Sequence, residues 1–332
     1  MTSVLAPCAR CESPLEQGDL RCAICGQAAP AAAESGRAEL KVQVLRCDGC
    51  GAAVSYDPAV QAPRCAFCDS VMHVESVEDP MEQTELYLPF TVATEAARKA
   101  LRAWLGSLGF FRPPDLRDEA RVESLRPLFW VGWVFDAEAL ISWTADSDAG
   151  ARRSSWAPHA GQAEMVFDGI LVSASRGLSE EETAHLSAGY DLATARREPA
   201  DHEGPGELEG AAEEPIVEQF DVQRSLARQR VLAGIQQVAG ARVVARHVPG
   251  SSHRNLHTAA LLRRLVTRRY AFPAYVMAYR YREKLYRVVV SGQDAGRLLG
   301  KAPYSVGRIL AVVLGGLLLL ALVAAIALAA AA

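Results

Sequence analysis

Four Cys-x-x-Cys pairs crowd the first 68 residues, and the remaining 264 contain no cysteine. The pairs are Cys8/Cys11, Cys22/Cys25, Cys47/Cys50 and Cys65/Cys68. Two thiolates three positions apart on a tight turn can reach one ion, and two such turns close a tetrahedral four-cysteine site around zinc. Ten residues separate Cys11 from Cys22, fourteen separate Cys50 from Cys65, and twenty-one lie between the two groups. That spacing predicts two successive zinc ribbons, over 8–29 and 45–78, with one Zn2+ in each. Gly26 and Gly51 follow the second cysteine of a pair, where a knuckle needs a positive φ. Asp69 takes the same place after Cys68, and Asp tolerates that conformation better than most residues. Disulfides are the competing use of eight cysteines. A Cys-x-x-Cys bridge closes a very small loop, and Met1 to Arg10 lacks the charged start and apolar core of a secretory signal.

The other end is read as a membrane anchor. Ile309 to Ala332 is 24 residues without a charge or a strongly polar side chain. As a helix it would reach roughly 36 Å, against a hydrocarbon core of about 30 Å. Lys301 and Arg308 lie just before it and no charge follows. By the positive-inside rule the expectation is a single-pass inner-membrane protein, anchored over 306–332, with its body in the cytoplasm. A reducing compartment also suits zinc thiolates.

Between the ends, residues 84–303 are long enough to bury a substantial core. Leu86-Tyr87-Leu88-Pro89-Phe90 is a short apolar run ended by proline. Thr94 is placed to cap a helix reaching about Leu108, with Ala97, Leu101, Trp104, Leu105 and Leu108 on one face. Phe129 to Ala145, aromatic and β-branched, predicts one or two strands. A helix is expected from about Val222 to Val238, then strands at Ala241–Val248 and Asn255–Thr267. A hairpin of Tyr270–Arg282 with Lys284–Ser291 follows, turning at Glu283-Lys284, with Tyr275, Met277, Tyr279 and Tyr281 on one face by period two. A last strand is placed at Ala295 to Leu299. The fold class expected is α+β: two zinc ribbons, a mixed body with an antiparallel sheet, and one transmembrane helix.

Charge is segregated within a net charge of −4. Glu198 to Glu218 holds eight acids and no Lys or Arg, and with its interspersed Pro and Gly it reads as a loop. Val222 to Arg282 inverts the sign, with twelve arginines and no Asp or Glu. Such a segment suits anionic lipid, an acidic partner, the acidic loop or nucleic acid, unless its arginines are simply spread over a solvated surface.

Catalytic signals are sparse. Trp130, Trp133, Trp143 and Trp156 fall within 27 residues, and His159 follows Trp156-Ala157-Pro158, near Asp146, Asp148 and Asp168. No nucleophile beside a base, glycine-rich phosphate loop or HExxH accompanies them. No catalytic residue is assigned; activity near His159 is kept as an alternative.

Cys47-Asp48-Gly49-Cys50-Gly51 and Arg64-Cys65-Ala66-Phe67-Cys68 resemble ribbons of the general transcription-factor type. With Leu88-Pro89-Phe90, Arg126-Pro127-Leu128-Phe129-Trp130 and Tyr286 to Gln293 before a terminal apolar helix, the chain resembles a family of bacterial membrane-anchored zinc-ribbon proteins. Members are often labelled primosomal or helicase-like. Some relatives sit beside phage-shock-type membrane-stress genes, which implies a role in recruiting a peripheral membrane protein. The helicase label conflicts with the absence of a Walker A sequence. The ribbons are also acidic, −1 over Cys8 to Gly26 and −3 over Cys47 to Glu75, whereas phosphate binding needs cations. The reading taken forward is a membrane-tethered adaptor that docks a protein partner. A nucleic-acid-binding protein using residues 222–282 and an enzyme near His159 remain as alternatives.

Overall fold

The computed structural model describes residues 7–16, 19, 21–29, 42–49, 52–55, 65, 70–77, 83–150, 155–197 and 215–331. Strands β1 (Val42–Cys47), β2 (Ala53–Ser55) and β3 (Met72–Val77) make a small antiparallel sheet in the order β2-β1-β3. The body follows with β4 (Leu86–Tyr87), α1 (Thr94–Ser107), α2 (Leu116–Glu119), β5 (Arg121–Ser147), β6 (Ala157–Ser173) and α3 (Glu180–Ser187). Then come β7 (Ile216–Val217), α4 (Arg224–Arg246), β8 (His253–Tyr281), β9 (Lys284–Ser291), β10 (Leu298–Gly300) and α5 (Val306–Ala331). The large sheet has seven strands along the path β10-β9-β8-β5-β6, with β4 added parallel to β8 and β7 parallel to β5.

Two strands of 27 and 29 residues, β5 and β8, pair antiparallel along nearly their whole length. Three register shifts in that ladder, at Val122/Ser124, Glu138/Ala139 and Thr144/Asp146, let so long a ribbon bend over its cores. In the middle, Leu128 to Phe135 is buried without interruption, because both faces are covered. Leu128, Trp130 and Val134 face a core shared with Phe272 and the cysteines Cys47 and Cys65. Val131, Trp133 and Phe135 face Ala227, Val231, Ile235, Ala239 and Val243, an every-fourth-residue stripe along α4. Further along β8, Tyr275, Met277, Tyr279 and Tyr281 are buried on one face beneath α1 and α2, as period two predicts.

The body is built from two interlocked copies of one unit: short strand, helix, long strand, return strand. Leu88 N–H donates to Ala271 O at 3.0 Å, and Glu218 N–H to Phe129 O at 2.9 Å. Gly292 N–H donates to Pro273 O at 2.8 Å, and Ala174 N–H to Val131 O at 3.0 Å. Thr91 N–H donates to Gly292 O, and Asp221 N–H to Ala174 O. Leu88 and Glu218, Phe90 and Phe220, Thr94 and Arg224 are each 130 residues apart, and each helix starts at the same place in its unit. The short strand of each copy pairs with the long strand of the other, β4 with β8 and β7 with β5. Trp130 and Phe272, matching positions on the two long strands, stack on each other at 4.5 Å and 22°.

Several expectations change. The first helix forms as placed, but Thr94 is its first residue, and Ala93, the N-cap, supplies no side-chain bond. Ala241–Val248 is not a strand: α4 runs on to Arg246, because Ala239 and Val243 continue the buried stripe at helical spacing. Asn255–Thr267 and Tyr270–Arg282 are one strand rather than two. The final strand is shorter and later than expected, Leu298–Gly300.

The largest correction concerns the membrane. The C-terminal run does form a helix, α5, yet among the described residues no helix is long and apolar enough to cross a membrane. A transmembrane helix is therefore removed from the fold class, and a single-pass inner-membrane location is not supported. What stands is a mixed helix-and-strand body around a large antiparallel sheet, with a four-cysteine cluster near the N-terminus.

Candidate metal centre

The first two cysteine pairs fold into matching turns. Cys8 N–H donates to Ser13 O at 2.9 Å and Cys22 N–H to Gln27 O at 2.8 Å. The residue after each second cysteine has a positive φ, 57° at Glu12 and 71° at Gly26. The turn therefore imposes a left-handed residue even where the sequence supplies no glycine. The four sulfurs lie within 4.8 Å of one another, with Cys8–Cys25 and Cys11–Cys22 both at 3.6 Å. A tetrahedral ion with metal–sulfur bonds of about 2.3 Å has edges of roughly 3.8 Å, so the donor set fits. Cys8 and Cys22 are buried and Cys11 and Cys25 half-buried.

The thiols are inequivalent. The Ser13 hydroxyl, 3.3 Å from Cys11 Sγ, and the Ser13 N–H draw the Cys11 thiol down to about 6. Backbone N–H groups of Arg10 and Cys11 lower Cys8. The Gln27 N–H pulls Cys25 the same way, but burial and the three neighbouring thiols push it up to about 11. Four thiolates cannot share so small a volume without a cation, and a divalent ion bound there would supply the missing charge.

This ribbon is clamped onto the body. Arg228 of α4 donates to Asp19 Oδ1 at 2.8 Å and Glu16 Oε2 at 2.9 Å, and Arg224 stands 3.5 Å from both. Glu16 Oε1 accepts from Thr267 N–H at 2.7 Å, and the Ser13 hydroxyl donates to Arg263 O at 3.2 Å. Ala23 and Ile24 pack against the core beneath α4. Burial raises the Glu16 carboxyl against the opposing pull of Arg228.

The same turn bond recurs around Cys47 and Cys65. Cys47 N–H donates to Ala52 O at 2.9 Å and Cys65 N–H to Ser70 O at 2.8 Å, while Gly49 N–H points to Cys47 Sγ at 3.3 Å. Cys50 and Cys68 lie outside the described residues, as do Gly51 and Asp69. Cys47, Ala52 and Cys65 share a core with Leu88, Leu128 and Trp130, and Arg46 pairs with Asp221 at 3.7 Å.

Among the described residues, nine of the twelve arginines between 222 and 282 meet acids elsewhere in the chain. Besides Arg224 and Arg228, the pairs are Arg254–Asp146, Arg263–Glu164, Arg264–Glu138, Arg268–Asp136, Arg269–Glu85, Arg280–Glu123 and Arg282–Asp115. The basic segment is thus balanced by ribbon 1, by strands β5 and β6, and by Glu85 before β4 and Asp115 before α2. The acidic segment 198–218 falls outside the described residues up to Glu214.

His159 does not gather a site. It pairs across the ladder with Ala145, a core residue, and His257 pairs with Thr144. Its Nε2 lies 3.2 Å from Ala149 O. The open cleft beside it, about 340 Å³, is lined by Thr144, Asp146, Asn255 and both histidines. Trp130 and Trp133 are core residues, and Trp156 lies under the Arg254 guanidinium.

The sequence reading counted Glu218 as the last acid of the 198–218 loop; it instead follows strand β7 directly and is buried. Only 1% exposed, it accepts N–H bonds from Arg176 and Gly177 on Oε1, while Oε2 has no hydrogen-bond partner among the described residues. Burial pushes its carboxyl up to about 7.

Comparison with protein-family models, with curated proteins and with solved structures yields no match.

Proposed function

We propose that this protein is a zinc-ribbon adaptor that docks a protein partner, with one Zn2+ bound by Cys8, Cys11, Cys22 and Cys25 and a second by Cys47, Cys50, Cys65 and Cys68. The observation that carries it is the first cluster: four thiols at tetrahedral spacing on paired turns, held against the body by a buried acid–arginine clamp. A sulfur-only tetrahedral set selects zinc or iron–sulfur chemistry, and zinc knuckles use this turn. The second site is inferred from the turn bond recurring at Cys47 and Cys65. Both ribbons carry net negative charge, which suits a protein surface better than a phosphate backbone.

The nucleic-acid alternative loses its main support once most arginines of the basic segment are neutralised within the chain, because affinity for phosphates depends on cations free to displace counterions. An activity near His159 gains none, since the cleft there brings no nucleophile and base together.

The test is metal analysis of the purified chain followed by in-cell crosslinking. Wild type is expected to hold two zinc ions and Cys8→Ser/Cys11→Ser and Cys47→Ser/Cys50→Ser one each. A protein crosslinked by wild type and lost from either variant supports the adaptor reading. Recovery of nucleic acid instead, or of the same proteins from all three, overturns it.

A further inference from the structure

On β8, the backbone groups of Arg263, Thr267, Arg269 and Ala271 that face away from β5 form one edge. Arg269 O and Ala271 O are taken by N–H groups of Glu85 and Leu88, flanking and extending β4. Arg263 O and Thr267 N–H are met by side chains instead, Ser13 and Glu16 of ribbon 1. A strand edge covered by side chains is one that an extended peptide backbone fits better.

The same contact holds two half-buried arginines, Arg224 and Arg228, bound to Glu16 and Asp19. Among the described residues, Arg228 Nε is buried there with no hydrogen-bond partner. Buried donors are normally satisfied, so the contact accommodates an acceptor beyond those the described residues supply.

We infer that ribbon 1 is a metal-held plug over a docking site for an extended acidic segment, which adds to the β8 edge at Arg263–Thr267 and places its carboxylates on Arg224 and Arg228. This rests on the metal-binding reading of ribbon 1. Its own core is little more than Cys8, Leu15 and Cys22, so a ribbon this small holds its shape through the ion. Without the ion, Ser13, Glu16 and Asp19 are no longer presented together, and the site opens. An extended segment with acids at alternate positions presents them on one face while its backbone pairs with the edge. The partner is therefore the chemical counterpart of the acids that now fill the site.

The probe is a fluorescein-labelled peptide of alternating Glu and Val, with alternating Lys and Val as control, titrated by anisotropy against the full chain. Zinc-loaded wild type is expected to bind weakly. Glu16→Gln/Asp19→Asn, with its zinc retained, is expected to bind at least ten-fold tighter, with faster exchange of the Thr267 amide. Asp19→Asn alone should show a smaller gain and guards against misfolding of the double variant. Chelation of wild type should reproduce the gain, and adding Arg224→Ala/Arg228→Ala should abolish it. Unchanged affinity in both acid variants overturns the site, as does binding that survives loss of the arginines or is matched by the Lys peptide. A gain in the acid variants without one on chelation overturns the ion's part in the plug and traces the failure to the zinc reading.

Discussion

Leu88 and Glu218 hold the same place in the two interlocked copies, each the residue that follows a two-residue strand and donates its N–H to the opposite long strand. Leu88 is fully buried among Leu128, Trp130 and Phe272. Glu218 is as well buried, but it ties down the backbone of Arg176 and Gly177 and leaves one carboxylate oxygen without a partner among the described residues. The scaffold therefore tolerates a leucine or a carboxyl at one geometric position, provided the loop beside it supplies donors. Gly292 and Ala174 form a second such pair. A methyl at Gly292 would come within 2.6 Å of Pro273 Cβ and 2.7 Å of the Phe90 ring, whereas Ala174 already carries one in a fully buried site.

The sharpest way to break this comparison is to remove what the copies share. Trp130→Ala deletes half of the stack that joins them and should cost about 3–5 kcal/mol in urea unfolding, with both copies lost in one transition. Two separated transitions would show that the copies fold independently. Next in size is the pH dependence of Glu218. Its pKa is raised from 4.5 to about 7 in the fold, so its contribution to stability is full below the ordinary carboxyl range and is lost as pH rises through about 7. The shift corresponds to about 3 kcal/mol. Glu218→Gln should flatten the stability profile between pH 5 and 8 and be the more stable protein at pH 8. Parallel profiles for the two proteins would mean that the carboxylate is ionised in place. The smallest effect separates the glycine from its counterpart: Gly292→Ala should cost about 1–3 kcal/mol by overpacking, and Ala174→Gly about 1 kcal/mol through chain entropy and a lost methyl contact. Equal costs would remove the distinction.

Much of the first four-cysteine cluster was legible in the chain because Cys-x-x-Cys is a local instruction: the cysteine spacing and the left-handed residue after it are set within a few positions. The helix at Thr94 and the tyrosine face of β8 were readable for the same reason, as periodic patterns with one buried side. The length of β5 and β8 was not. Where both faces are buried, as from Leu128 to Phe135, alternation disappears and a strand cannot be told from other buried runs. The duplicated unit was hidden because few side chains recur; the hydrogen bonds repeat, while residues as different as Leu88 and Glu218 occupy the same place. The partners of the arginines were equally hidden, since pairs such as Arg268–Asp136 are 132 positions apart.

By itself, then, the sequence determined the cysteine turns, the amphipathic helix and the alternating strand faces, all of which depend on neighbours within a turn or two of chain. Tertiary structure decided that the basic segment is neutralised from within, that ribbon 1 rests on the β8 edge, and that the two copies exchange their short strands. Those outcomes follow from which distant surfaces can be buried together, and burial of charge and strand edge is settled only when the whole chain has packed.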